Sequence, residues 1–190
     1  EPLPSVRYAW LPDEGKEGCI DVLASDLWSL HEMCPRLRIV TLADGAPEMQ
    51  SILDQAVQGL PVCSQLVDFW HLIEKLAAAL QAAGPADSST LSRWKRCLLE
   101  DDAAIEAIEE SLLRWKSRLR GSPPEPLHNA LTYIGNHRER LRYASTRGAA
   151  LPIGSGHVEA TCKTIVSTRM KRAGARWKPD GARATLHLRA

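Results

Sequence analysis

Two short apolar runs, Arg38–Ala43 (RIVTLA) and Val62–Val67 (VCSQLV), enclose the helically spaced stretch Glu48–Val57, and this triplet constrains the fold most. RIVTLA is too short for a stable helix and is stopped by Asp44-Gly45, so it reads as a strand buried on both faces. Parallel strands need a crossover connection, usually a helix, and Glu48–Val57 supplies one. Upstream, Ser5–Trp10 alternates polar and apolar residues (Val6, Tyr8, Trp10) and reads as a further strand before the Leu11-Pro12 break. From about Gly18 to Met33, Ile20, Leu23, Ala24, Leu27, Leu30 and His31 recur on one helical face, and Pro35 stops the pattern. The order strand, helix, strand, helix, strand argues for an α/β fold, with a parallel or mixed sheet and covering helices.

After Phe69 the character changes. Leu72–Ala83, Leu91–Leu119 and Leu127–Tyr143 are helical stretches rich in Ala, Leu, Arg and Glu, separated by Gly84-Pro85 and Gly121-Ser122-Pro123-Pro124. Asp87 or Ser88 can cap the second stretch, because their side-chain oxygens accept orphan backbone N–H groups. Its later part, DDAAIEAIEESLLRWKSRLRG, runs from acidic to basic and so complements the helix dipole. These features divide the chain into a sheet portion over 1–71, an all-α insertion over 72–146 and a C-terminal segment over 147–190.

With 190 residues, 44% hydrophobic and 25% charged, the chain can bury one sizeable core. No apolar run approaches the roughly 20 residues that span a bilayer, and the N-terminal stretch has no basic-then-apolar signal pattern. The expectation is a cytoplasmic protein with no membrane partner. Cys19, Cys34, Cys63, Cys97 and Cys162 form no C-x-x-C pair, so reduced, mostly buried thiols are expected. Six tryptophans against one phenylalanine imply that tryptophan fills much of the core.

The net charge of +1 conceals an asymmetry. From Arg147 to Ala190, nine cations (Arg147, Lys163, Arg169, Lys171, Arg172, Arg176, Lys178, Arg183 and Arg189) face only Glu159 and Asp180. That excess suits phosphate contacts, or a solvated basic face. Lys163, Arg169, Lys171, Arg172, Arg176 and Lys178 are the candidate DNA contacts. Trp177 among them reads either as a stacking surface for a base or as a core anchor.

Three further positions can carry chemistry. Asp44 ends a strand, where open α/β sheets collect functional groups, although an Asp-Gly turn also terminates strands for purely local reasons. Glu159 stands beside the apolar stripe Val158, Cys162, Ile165, Val166, Met170; it reads as a site carboxylate or as a first-turn glutamate paired with Lys163. In Asp68-Phe69-Trp70-His71, Asp68 suits an N-cap after a strand, and His71 falls near the third helical position.

Taken together, VRYAWLPDEGKEG…TLADGAPEM (Val6–Met49), LVDFWHLIEKLAAAL (Leu66–Leu80) and LTYIGNHRERLRYASTRGAALPIGSGHVEATCKTIVSTRMKRAGARW (Leu131–Trp177) resemble bacterial insertion-sequence transposases of the DDE class, related to the Mutator-like group. The last segment is the most specific. The resemblance implies an RNase H-like mixed sheet with covering helices, interrupted by an all-α insertion. It implies that Asp44 and Glu159 are the second aspartate and the final glutamate of the catalytic set, holding Mg²⁺ or Mn²⁺. Asp68 and His71 match an auxiliary D-F-W-H element. The implied partner is DNA, at element ends and target, with a possible homo-oligomer.

The chemistry requires such a set: phosphodiester cleavage and strand transfer need a metal-activated nucleophile, and hard carboxylates suit partly hydrated Mg²⁺ or Mn²⁺. The family's first aspartate lies on a strand upstream of the VRYAW-like strand. Five residues precede Val6, so the RNase H-like sheet is expected to be incomplete and the polypeptide inactive alone. A fragment, a split or truncated gene product and a degenerate copy all fit. The alternative is a catalytically silent DNA-binding remnant.

Overall fold

The computed structural model describes residues 15–84, 89–156 and 176–187, together with Ser167. Expectations for Ser5–Trp10, for Asp87 and Ser88, and for Glu159, Lys163, Arg169, Lys171 and Arg172 fall outside the described residues. Within them the protein is mixed α/β, mostly helical, with a small two-stranded parallel sheet.

The chain forms two compact units, 38–49 with 61–154, and 1–37 with 50–60 and 155–190. In the first, β1 (Ile39–Ala43) and β2 (Val62–Val67) pair in parallel, with Leu42 opposite Leu66 and Ala43 opposite Val67. α2 (Pro47–Ala56) joins them, as the helical spacing between two short apolar runs requires. No residue of β1 is exposed: Ile39, Thr41 and Ala43 are buried, Val40 and Leu42 half-buried. The other unit contains α1 (Glu17–Met33), which keeps Ile20, Leu23, Ala24, Leu27, Leu30 and His31 half-buried while Val22 and Trp28 stand exposed. The face read from spacing is the covered face.

The core lies in the first unit. Leu66 and Val67 of β2 meet Leu72, Ile73 and Leu76 of α3 (Phe69–Ala83), and Leu98 of α4 (Ser89–Glu100). Ile108 and Leu112 of α5 (Ala104–Arg118), and Leu127 and Ile134 of α6 (Glu125–His137), complete it. These residues are nearly inaccessible, so each leucine contributes on the order of 1.5–3 kcal/mol of hydrophobic stabilisation. A single 3₁₀ turn, Arg138–Arg140, leads to α7 (Tyr143–Gly148); α8 (Pro179–His187) follows in the other unit.

Three expectations are corrected. Leu91–Leu119 is two helices rather than one, because the Asp101 carboxylate takes the Ala103 N–H at 2.9 Å and Asp102 turns away to receive the N–H groups of Ala144 and Ser145. Side-chain acceptors of this kind compete with the helical ladder and break it. Second, leucine rather than tryptophan fills the core. Trp94 is buried, but Trp28, Trp70 and Trp177 are 42%, 54% and 43% exposed. Third, the thiols are not mostly buried: Cys19, Cys34, Cys63 and Cys97 are free, with Cys34 beyond the end of α1 and Cys63 on the outer side of β2 both exposed.

Tyr143 is wholly buried against Phe69, ring centroids 5.1 Å apart, and its hydroxyl has no hydrogen-bond partner among the described residues. Burial, followed by the nearby Tyr133 and Asp68, pushes its phenol far above the ordinary range. An unpaired buried hydroxyl carries a desolvation penalty without return. Tyr143→Phe is therefore expected to leave stability within about 0.5 kcal/mol of wild type or to raise it. Urea denaturation followed by circular dichroism measures this, and a loss beyond 1 kcal/mol, roughly one hydrogen bond, would reveal a partner for the hydroxyl.

Candidate functional site

Parallel pairing puts the carboxyl ends of both strands on the same edge. Ala43 and Val67 are register partners, so the residues that follow them, Asp44 and Asp68, leave the sheet side by side. The Asp68 N–H donates to the Ala43 carbonyl at 2.7 Å, extending the ladder by one step and fixing that adjacency. Such a strand-end crevice is where open α/β sheets hold functional groups.

The two carboxylates are used differently. Asp44 is exposed, and one of its oxygens accepts the Ala46 N–H at 2.9 Å, which closes a tight turn over Gly45. Asp68 is fully buried and caps α3: its Oδ1 accepts the N–H groups of Trp70 (2.7 Å) and His71 (3.1 Å), the second and third helical positions. The N-cap and third-position readings of Asp68 and His71 therefore hold. The His71 side chain is half-buried.

A second layer had not been anticipated from the sequence. From α6, the Tyr133 hydroxyl donates to the Asp44 carbonyl at 2.8 Å, and His137, one turn on, packs edge-on against Tyr133 with centroids 4.6 Å apart. Lys75 of α3 places its ammonium 5.9 Å from the Tyr133 ring centre. Burial, then Asp44 and Asp68, pushes the Tyr133 phenol well above its usual range, so it remains a proton donor to the Asp44 turn. Burial, then Arg140, lowers His137, which is therefore neutral at pH 7. The one signal available in the sequence was Tyr133 and His137 at i and i+4, which share a helical face.

Gly45 has φ +91°, and a Cβ there would lie 2.9 Å from His137 Nε2 and 3.0 Å from Tyr133. Only glycine lets the Asp44 turn sit under α6.

On the other side of Asp68, the Phe69 N–H donates to the Ile153 carbonyl at 3.0 Å, bringing Pro152-Ile153-Gly154 to the crevice. A Cβ on Gly154 would meet Trp70 at 3.1 Å and Asp68 Oδ2 at 3.8 Å, so the glycine permits the close approach. Trp70 stays exposed, with the Lys95 ammonium 5.5 Å from its ring centre. Of the candidate DNA contacts, Arg176, Trp177 and Lys178 are described and exposed, which removes the core-anchor reading of Trp177.

Among the described residues, no three His, Cys, Asp or Glu side chains come together as a metal site. Asp44 supplies one accessible carboxylate, while Asp68 Oδ1 is committed to the α3 cap. These residues alone do not make a complete ion site, and no reaction step is derived through a metal. Comparison with family models, with curated proteins and with solved structures returns no match.

Proposed function

We propose that the chain is part of a DNA transposase of the DDE class, with an RNase H-like core in which Asp44 and Glu159 are the metal-holding carboxylates. The observation that carries this reading is the crevice formed by the Asp44 turn, the Asp68 cap and the Pro152-Ile153-Gly154 backbone. From that crevice the chain runs on to Glu159, five positions beyond Gly154. The three sequence segments that carry the transposase resemblance thus contribute residues to one strand edge or lead away from it.

Within this reading each residue has a task. Asp44 offers an exposed carboxylate on a turn braced from behind by Tyr133. Asp68 organises the start of α3, whose first residue, Phe69, holds the Ile153 carbonyl and with it the backbone before Glu159 close to the strand ends. Bound Mg²⁺ or Mn²⁺ would activate the attacking oxygen and neutralise charge on the scissile phosphate. Trp70 is an exposed aromatic group beside the crevice, and Arg176, Trp177 and Lys178, in the other unit, are exposed cationic and aromatic groups suited by themselves to nucleic acid.

Mn²⁺ titration by calorimetry tests the assignment. Wild type is expected to bind, and Asp44→Asn and Glu159→Gln each to weaken binding by about tenfold or more, the scale of losing one charged ligand interaction. Identical titrations for all three proteins would remove both residues from the site. DNA binding without any Mn²⁺ binding would favour a silent DNA-binding remnant.

A further inference from the structure

Besides Arg176-Trp177-Lys178, the tripeptide Arg-Trp-Lys occurs in the helical insertion as Arg93-Trp94-Lys95 on α4 and Arg114-Trp115-Lys116 on α5. The two helices are joined by residues 101–103 and fold back on each other, so these tripeptides meet. The Trp94 and Trp115 rings stack with centroids 5.5 Å apart and planes inclined by 27°. Stacking at this point aligns the N-terminal half of α4 with the C-terminal half of α5. The basic residues of both helices gather at that end, while Glu100, Asp101, Glu106 and Glu110 lie toward the other.

Beside the stacked pair is a cavity of about 170 Å³ lined by Arg93, Arg114, Arg118, Ser111 and Thr90. All three arginines are exposed, and among the described residues none pairs with a carboxylate. Arg114 donates to Ser111 Oγ at 3.1 Å, which orients one guanidinium. Arg114 and Arg118 are one turn apart, about 6 Å along the helix axis. Holding three like charges around one concavity is unfavourable unless an anion neutralises them.

We propose that this groove is a second nucleic-acid contact that grips the phosphate backbone of duplex DNA. The geometry favours backbone over base contacts. Trp94 is 5% exposed and spends a face on Trp115, so it is not a platform on which an unpaired base can stack. Guanidinium forks match phosphate oxygens bidentately. The surface is separate from the strand-end crevice and uses neither Asp44 nor Glu159, so it stands whether or not the chain binds metal.

The test is fluorescence anisotropy of a short labelled duplex with the full chain across a salt series. It compares wild type, Arg93→Gln/Arg114→Gln/Arg118→Gln and the single charge reversal Arg118→Glu, each checked for wild-type thermal unfolding. The triple variant is expected to lose affinity on the order of tenfold or more and to reduce the salt slope by about one unit per arginine removed. Arg118→Glu is expected to weaken binding in the same direction. Unchanged affinity and slope in both variants would overturn the proposal, and Arg176→Gln/Lys178→Gln would then identify the C-terminal residues as the whole interface, leaving the transposase reading intact. Pyrophosphate binding to the arginines without any duplex binding by wild type would also overturn it, in favour of a small-anion pocket.

Discussion

Asp68→Ala is expected to lower the unfolding free energy by about 2–4 kcal/mol, combining the loss of an N-cap with two donors left unsatisfied in a buried place. The residue is fully inaccessible, and its Oδ1 serves the N–H groups of Trp70 and His71 together. Alanine cannot accept either bond, and water has little access to replace the carboxylate. Asparagine keeps an acceptor oxygen of the same reach, so Asp68→Asn is expected to retain most of the cap. The contrast is read from urea midpoints of wild type, Asp68→Asn and Asp68→Ala. Equal midpoints for alanine and asparagine would show that capping is not what Asp68 contributes. Because α3 supplies Leu72, Ile73 and Leu76 to the core, the loss should appear as lower global stability rather than as fraying of one turn.

Gly45→Ala is expected to cost about 2–4 kcal/mol, from the positive φ that a side chain resists and from a Cβ forced against packed rings. His137 Nε2 and the Tyr133 ring stand 2.9 and 3.0 Å from where that Cβ would lie. Relief requires α6 to shift outward, which pulls the Tyr133 hydroxyl from the Asp44 carbonyl. If Asp44 holds metal as proposed, the same substitution should also weaken Mn²⁺ binding, even though Gly45 offers no ligand. Gly121→Ala is the control, since its φ is +100° but a Cβ there meets nothing within 4 Å. It carries the backbone strain without the clash. If the two substitutions cost the same, the contact with α6 is irrelevant and only the dihedral matters.

The β1–α2–β2 unit was legible because each of its parts is short and punctuated. Residues 39–43 and 62–67 are too brief for helices, and Asp44-Gly45 marks the break after the first. The helical face of α1 was legible for the same reason: a period of 3.6 needs no knowledge of the partner. The division between α4 and α5 was not. Beside the local Asp101 turn, its cause is Asp102, whose carboxylate serves a helix start 42 positions later, and no local pattern encodes a cap donated from so far along the chain. The tryptophan core failed because a tally of large aromatics does not say which of them the fold turns outward.

The candidate site divides the same way. Asp44 and Asp68 could each be recognised as a strand-end carboxylate, but their adjacency depends on the register of β1 against β2, which the sequence leaves open. The brace behind Asp44 comes from Tyr133, 89 positions away, and so belongs to tertiary packing alone. Arg-Trp-Lys stands three times in the sequence, but only an antiparallel helix pair turns two of the copies, those at Trp94 and Trp115, into one groove.

The bond from the Phe69 N–H to the Ile153 carbonyl closes a circuit: the chain departs from the strand edge and returns to it at the same point. Everything between those two groups is a detour whose entrance and exit are held in contact. Lengthening such a detour adds little closure entropy, since each doubling costs only about 0.6 kcal/mol. The outward faces of α4 and α5 can thus be refaced over evolutionary time, while α3, which Asp68 caps, and α6, which braces the Asp44 turn, keep the two aspartates in place. A fixed edge with an exchangeable excursion lets the surface presented to a partner change independently of the carboxylates.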